Sequence, residues 1–248
     1  MNVDAYEYYD SKFYSSLFLR DVYEEIIRYN TKTIININDN DKKTFRKMFN
    51  YFNSENIEDD INFFIKDVAI NCMVYKYSLF KLEKNGENVS LIDKSKEYFN
   101  NQIKYSKKNM ILFDISDIYD HTILDELVNL SDDKFKYLID KRMFYKYLLR
   151  ITSKIGWIII SDSYIGDYLS DIYFFTLRLR FKIFLTKIRE KIVKHFLSNI
   201  LIKEIFKEDI KIYWKYDSSY YENILNKLDN NEISFKGINN VLFKKSEE

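Results

Sequence analysis

The stretch DYLSDIYFFTLRLRFKIFLTKIREKIVKHFLSNILIKEIF, Asp167 to Phe206, decides the fold. It runs about forty residues with neither Pro nor Gly, so one continuous helix would reach roughly 60 Å at 1.5 Å per residue. Thr186 and Ser198 are the places where it can bend or break. Ile172, Phe175, Leu179, Ile183, Leu185, Ile188, Ile192, Phe196, Ile200 and Leu201 mark a broad apolar stripe at helical spacing. Between them stand Arg178, Arg180, Lys182, Lys187, Arg189, Lys191 and Lys194. Such a run is ordinarily the solvated face of a core helix. The sharper alternative is an assembly helix whose cations meet an acidic neighbour or DNA.

The rest of the composition agrees with long helices. The 248 residues are enough for one large domain or two small ones, and 46% apolar content with 18% aromatics is far above a disordered chain. The excess of Tyr and Phe, with abundant Ile, Asn and Lys, suggests an AT-rich coding sequence. Pro is absent and Gly occurs at four positions only, Gly86, Gly156, Gly166 and Gly237. Backbone punctuation is therefore sparse, which disfavours a compact all-β fold. A formal net charge of +1 argues against a chain whose main task is coating nucleic acid.

Outward from the long helix, the periodicities predict an α+β, predominantly α-helical chain with a small antiparallel sheet. Asp4–Asn30 reads as one or two amphipathic helices, with Tyr8, Phe13, Leu17, Leu19, Val22, Ile26 and Ile27 as their apolar residues. Thr33–Asn38 is short and β-branched. Asp41–Phe52 and Ile57–Cys72 read as helices. Val74–Lys84, Asn85-Gly86 and Glu87–Asp93 form a hairpin signal, because Asn-Gly takes the positive φ angles of a two-residue turn. A Lys/Asn-rich spacer leads to a strand at Met110–Ile115. Helix returns at Thr122–Leu130 and Asp133–Leu149, and the β-branched run Ile151–Ser161 predicts an extended segment. Trp214 lies in a short strand or turn, Ser218–Lys227 is helical, and a last short helix is capped by Ser234.

Chemistry-bearing patterns are few. The single cysteine, Cys72, sits in an apolar context and excludes an intrachain disulfide and a paired-cysteine zinc site. The start lacks the basic-then-apolar order of a signal peptide, and no run of about eighteen uncharged apolar residues predicts a membrane span. Both features point to a reducing cytosol as the place of synthesis. His121, beside Asp120, Asp125 and Glu126, reads as a solvated helix start before it reads as a metal or acid–base site. His195 reads as a surface or interface residue. No HExxH, GxxxxGK[ST], GxGxxG or GxSxG occurs. Asp59-Asp60 and Asp132-Asp133 are the carboxylate pairs able to hold Mg²⁺ in an enzyme of nucleic-acid metabolism, yet each also fits a helix N-terminus. The expectation is a non-enzyme with no cofactor, no metal and no catalytic residue.

The order of features carries a resemblance. LSDIYFFTLRLRFKIFLTKIREKIVKHFLSNILIKEIFKEDIKIYWKYD resembles the C-terminal region of portal proteins of tailed bacteriophages, especially those with contractile tails. The matching letters are Leu179-Arg180-Phe181, the run Asn199-Ile200-Leu201-Ile202-Lys203, and Ile212-Tyr213-Trp214 to Asp217. After them YYENILNKLDNNEISFKGINNVLF is similar to the family's helix, turn and helix. IKDVAINCMVYKYSLFKLEKNGENVSLID is similar to the portal wing, MILFDI to the strand that follows, and YLLRITSKIGWIIIS to the strand-rich clip. Portal subunits are usually much longer, which implies that much of the clip, wing or crown is reduced here.

The resemblance implies a wing-like α+β region over 1–120 and stem helices with clip-like strands over 121–187. Wing- or crown-like helices follow over 188–248. It implies a structural virion protein at the capsid vertex, made in the host cytoplasm. Its subunits form a cyclic homo-oligomer, a dodecamer, through which double-stranded DNA passes in packaging and ejection. Capsid, terminase and tail or adaptor proteins are the further partners, with no membrane. Lys141, Arg142, Lys146, Arg178, Arg180, Lys182, Lys187 and Arg189 become candidates for channel or intersubunit contacts. Scattered cations balanced by acids suit a passage in which DNA must slide. The alternative is a helical virion or adaptor protein with no channel, acting through protein–protein assembly.

Overall fold

A computed structural model describes residues 5–27, 33–49, 56–86, 88–131, 141–159, 171–206 and 210–243. The chain is predominantly α-helical, with two small antiparallel sheets, as its composition predicts. It divides into two compact units. One comprises Met1–Glu7, Lys32–Tyr119 and Ile188–Lys215; the other comprises Tyr8–Thr31, Asp120–Lys187 and Tyr216–Glu248.

The first unit holds both sheets. Strand β1 (Thr33–Asn36) is followed by α3 (Asp39–Met48) and α4 (Ile57–Tyr75), after the chain's first two helices, α1 (Ala5–Asp10) and α2 (Phe13–Glu25). Two asparagines start α3 and α4: Asn38 Oδ1 accepts from the Asp41 amide at 2.7 Å and Asn56 Oδ1 from the Asp59 amide at 2.8 Å. In a chain without Pro these side-chain caps define where helices begin. Helix α4 ends at Lys76, which takes φ 69, and runs through Val74 and Tyr75, which the sequence assigns to the hairpin. Strands β2 (Ser78–Asn85) and β3 (Asn88–Asp93) pair antiparallel around Gly86, at φ 64. The connection from β3 carries the short α5 (Ser95–Phe99) and crosses to β4 (Met110–Phe113), which pairs with the other side of β2.

The core of this unit is aromatic. Phe64 on α4 has ring centroids of Phe49, Phe80, Phe113 and Phe196 at 5.1, 5.1, 5.7 and 5.3 Å, and every one of these rings is excluded from solvent. Edge-to-face and tilted pairs at these spacings add to the area they bury. Cys72 lies in the same interior, where burial pushes its thiol far above the ordinary range. The second sheet joins β1 to β5 (Lys211–Trp214), pairing Thr33 with Trp214 and Ile35 with Ile212.

The second unit is helical. Helices α6 (Thr122–Ser131) and α7 (Lys141–Thr152) join α2 in it, and residues 132–140, part of the expected helix, lie outside the described residues. The run Ile151–Ser161 forms no strand among its described residues. Ile151 and Thr152 end α7, and the Ile155 and Gly156 amides turn back onto the Thr152 carbonyl. Gly156, at φ 76, presses on the helix that carries Leu177: a Cβ there would stand 2.2 Å from the Leu177 carbonyl oxygen. Trp157 follows, fully buried, with its indole N–H donating to Asp21 at 3.0 Å. The β-branched letters thus mark a tight crossing against a helix instead of a sheet.

Helix α8 (Asp171–Ser198) is the long element the sequence announces, 28 residues or roughly 42 Å. It stops at Asn199, whose side chain caps the short α9 (Ile200–Ile205). Residues to Lys187 belong to the second unit and those from Ile188 to the first. After β5, Asp217 caps α10 (Ser218–Asp229), and the Ser234 hydroxyl accepts from the Gly237 amide in the first turn of α11 (Phe235–Phe243). Leu179 of α8 is buried with Tyr221, Ile224 and Leu228 of α10 and Ile238 and Leu242 of α11.

Candidate functional site

The basic residues of α8 fall on two opposite faces. At 100° per residue, Arg178, Lys182 and Arg189 lie within about 40° of one another, whereas Arg180, Lys187, Lys191 and Lys194 cluster on the far side. Arg178, Lys182 and Arg189 are buried; Arg180, Lys187 and Lys194 are exposed. Expected at a channel or between subunits, the first three instead have their charged groups turned into the interior of this one chain. Between Thr176 and Arg189 the helix is buried on nearly all sides, as a core helix is.

In the second unit, Glu25 takes both Arg178 and Lys182. The Arg178 Nη2 stands 3.0 Å and 3.2 Å from the two carboxylate oxygens, and the Lys182 Nζ stands 3.3 Å from one of them. All three side chains are at most one-tenth exposed. Two cations one helical turn apart on α8 meet one carboxylate at the end of α2, and the Coulomb attraction offsets their desolvation only because the geometry holds them together. One turn earlier on α2, burial pushes the Asp21 carboxyl above its usual range, and Glu25 adds to that rise. The Trp157 indole N–H, Arg20 and Arg178 oppose it.

In the first unit, Arg189 is 1% exposed and meets an aromatic ring. Its guanidinium carbon lies 4.2 Å from the centroid of Trp214. The Trp214 indole N–H donates to the Thr33 hydroxyl at 3.0 Å, and that hydroxyl donates to Asn62 Oδ1 at 2.6 Å. The ring is thereby held over the cation by hydrogen bonds to β1 and through it to α4, and a desolvated cation–π contact at this distance is worth about 2 kcal/mol. Nearby, Lys191 is paired with Asp117, and His195 packs edge-on to Phe113 at 5.1 Å. Burial holds the His195 imidazole below its usual range, with Lys191 adding to the effect.

The remaining nominated residues lie elsewhere. Lys146 and Arg180 are exposed, and Lys187 shares the exposed side of α8 with a 2.7 Å pair to Glu222. Lys141 and Arg142 open α7, but their side chains lie outside the described residues. Asp59 and Asp60 occupy the first turn of α4, where Asn56 Nδ2 donates to Asp59 at 2.7 Å, while Asp132 and Asp133 lie outside the described residues. Among the described residues no group of three or more His, Cys, Asp and Glu could hold a metal ion, and no helix is long and apolar enough to cross a membrane. Compared with protein families, curated proteins and solved structures, the chain has no match.

Proposed function

We propose that this chain is a structural protein that works by assembly, as a subunit of a portal-like ring through which double-stranded DNA passes. What supports the ring is the element order: α4, the β2–β3 hairpin and β4, then α8, α9, β5, α10 and α11. That succession agrees with the one the resemblance to portal subunits implies on either side of the clip, with Trp214 in a short strand and Asp217 capping the next helix, whereas the clip-like strands expected at Ile151–Ser161 do not form among its described residues. On this reading Lys146, Arg180 and Lys187 meet DNA or a neighbouring subunit. Arg178, Lys182 and Arg189 hold the subunit together.

The inward turn of those three cations favours a second reading. A helical adaptor with no channel needs no cationic lining, and its contacts are with other proteins. Native mass spectrometry and negative-stain images of the purified chain, alone and in particles containing it, separate the two. A cyclic oligomer with a central hole supports the ring. A heteromeric complex without rotational symmetry supports the adaptor. A stable monomer within intact particles sinks the ring.

A further inference from the structure

The connection between β3 and β4, which the sequence presents as a Lys/Asn-rich spacer, builds a surface of its own in the first unit. Lys96, Lys104, Lys107 and Lys108 are exposed along it, and Lys76 is exposed in the turn between α4 and β2. Three aromatic side chains of the same two segments are exposed and alternate with these lysines along the chain: Tyr77 is 39% exposed, Phe99 42% and Tyr105 37%. Ring contacts join the segments, Tyr77 to Tyr98 at 6.4 Å and Phe99 to Tyr75 at 5.3 Å. From Tyr98 to Phe113 the chain carries no Asp or Glu. Of the two acids that flank this stretch, Glu97 is engaged by Lys94 at 2.6 Å and Asp114 accepts from the Ser116 amide at 2.8 Å.

The backbone fixes this surface. Amides of Asn100, Asn101 and Gln102 donate to the Lys96, Tyr98 and Glu97 carbonyls at 2.9, 3.0 and 2.8 Å. Asn101 takes the left-handed φ of 57 that reverses the chain. At the far end the Met110 amide donates to the Ser106 carbonyl at 3.0 Å, and the Leu82 amide of β2 to the Asn109 carbonyl at 2.7 Å. The backbone that carries these cations and rings is therefore held in place at both ends, which lowers the entropy lost on binding.

We propose that this surface binds single-stranded nucleic acid, with the lysines on phosphates and the aromatic rings stacked on unpaired bases. Lysines alone would suit a duplex or an acidic protein equally. The interleaved half-exposed rings select for a strand whose bases are open, because stacking needs a free base face and tolerates any sequence. The proposal is independent of the ring: a channel for duplex DNA neither requires nor supplies it.

The test is fluorescence anisotropy of the full-length chain with labelled oligothymidylate of about twenty nucleotides. Micromolar binding is expected, with a slope of log affinity against log salt of about −3.5 if all five lysines engage. The variant Lys104→Gln/Lys107→Gln/Lys108→Gln should reduce that slope by about 2. Tyr105→Ala should weaken binding roughly fivefold or more, by loss of one stacked base. The control Lys43→Gln/Arg46→Gln/Lys47→Gln removes an equal number of exposed cations from α3, which carries no exposed aromatic ring, and should change affinity by less than about twofold. Circular dichroism and melting of each variant check that these surface changes leave the fold intact. A loss in the α3 control equal to that in the loop variant overturns the proposal, as do duplex binding unaffected by Tyr105→Ala, displacement by polyglutamate in preference to nucleic acid, or no binding.

Discussion

Helix α8 delivers buried cations to both units, and the two units accommodate them differently. The second answers Arg178 and Lys182 with a carboxylate, Glu25; the first answers Arg189 with the face of Trp214. An ion pair concentrates its stabilisation in one group, here a carboxylate that two buried cations share. A ring spreads a smaller attraction over a surface that also fills space and is itself held by Thr33. The ionic solution is therefore the more fragile to single substitution, although it need not be the more stabilising.

Glu25→Gln should be the most damaging change, costing about 3–5 kcal/mol in urea unfolding, since it takes from two buried cations the carboxylate they share. A loss under about 1 kcal/mol would show that the pair is solvated and the comparison void. Replacing the whole cluster, Glu25→Leu with Arg178→Met and Lys182→Met, should restore most of that stability or exceed it, because apolar side chains of similar volume avoid the desolvation cost. Trp214→Phe should cost less, about 1–2 kcal/mol, from a weaker cation–π contact and the lost indole hydrogen bond.

The smallest effects are in pH dependence, and the units should differ in sign. Asp21 in the second unit has its carboxyl raised by burial, so the fold takes up a proton there before the unfolded chain does. Its contribution to stability is complete below the ordinary value of 3.8 and is lost as pH rises through the raised one. His195 in the first unit is depressed, so its contribution is present above 6.5 and is lost as pH falls below it. Unfolding free energies across this range should show Asp21→Asn lacking the first dependence and His195→Gln the second. An unchanged pH profile in either variant would remove that group from the account.

Much of this fold is legible from spacing and turn chemistry. The helix starting at Ile57, the turn at Asn85-Gly86 and the Ser234 cap need only local interactions and stand as read, as do the strand starting at Met110 and, of the two expected breaks, the one after Ser198. Ile151–Ser161 was misleading because β-branched residues pack equally well against a helix, and Gly156 permits an approach no letter pattern encodes. Leu19, Val22 and Ile26 are buried as read, but Phe13 and Tyr8 are exposed at 62% and 43%, while Phe18, not among the expected apolar residues, is fully buried. The cations of α8 are the instructive case. Counted together they look like one charged face, but positions 178, 182 and 189 share a helical face and the others do not. Which face turns inward depends on Glu25 and Trp214, remote in sequence, and no local pattern names them.

Asparagine takes the place of proline and glycine as this chain's punctuation: Asn38, Asn56 and Asn199 start helices, and Asn101 and Asn231 reverse the backbone at positive φ. That choice ties the fold's boundaries to a chemically impermanent side chain. At Asn85-Gly86, exposed in the hairpin turn, attack of the Gly86 amide nitrogen on the Asn85 side-chain carbonyl expels ammonia. Reopening of the resulting ring yields aspartate or its backbone-lengthened isomer. The hairpin turn thus carries a route to covalent ageing, favoured in warm alkaline solution, that the aromatic core does nothing to prevent.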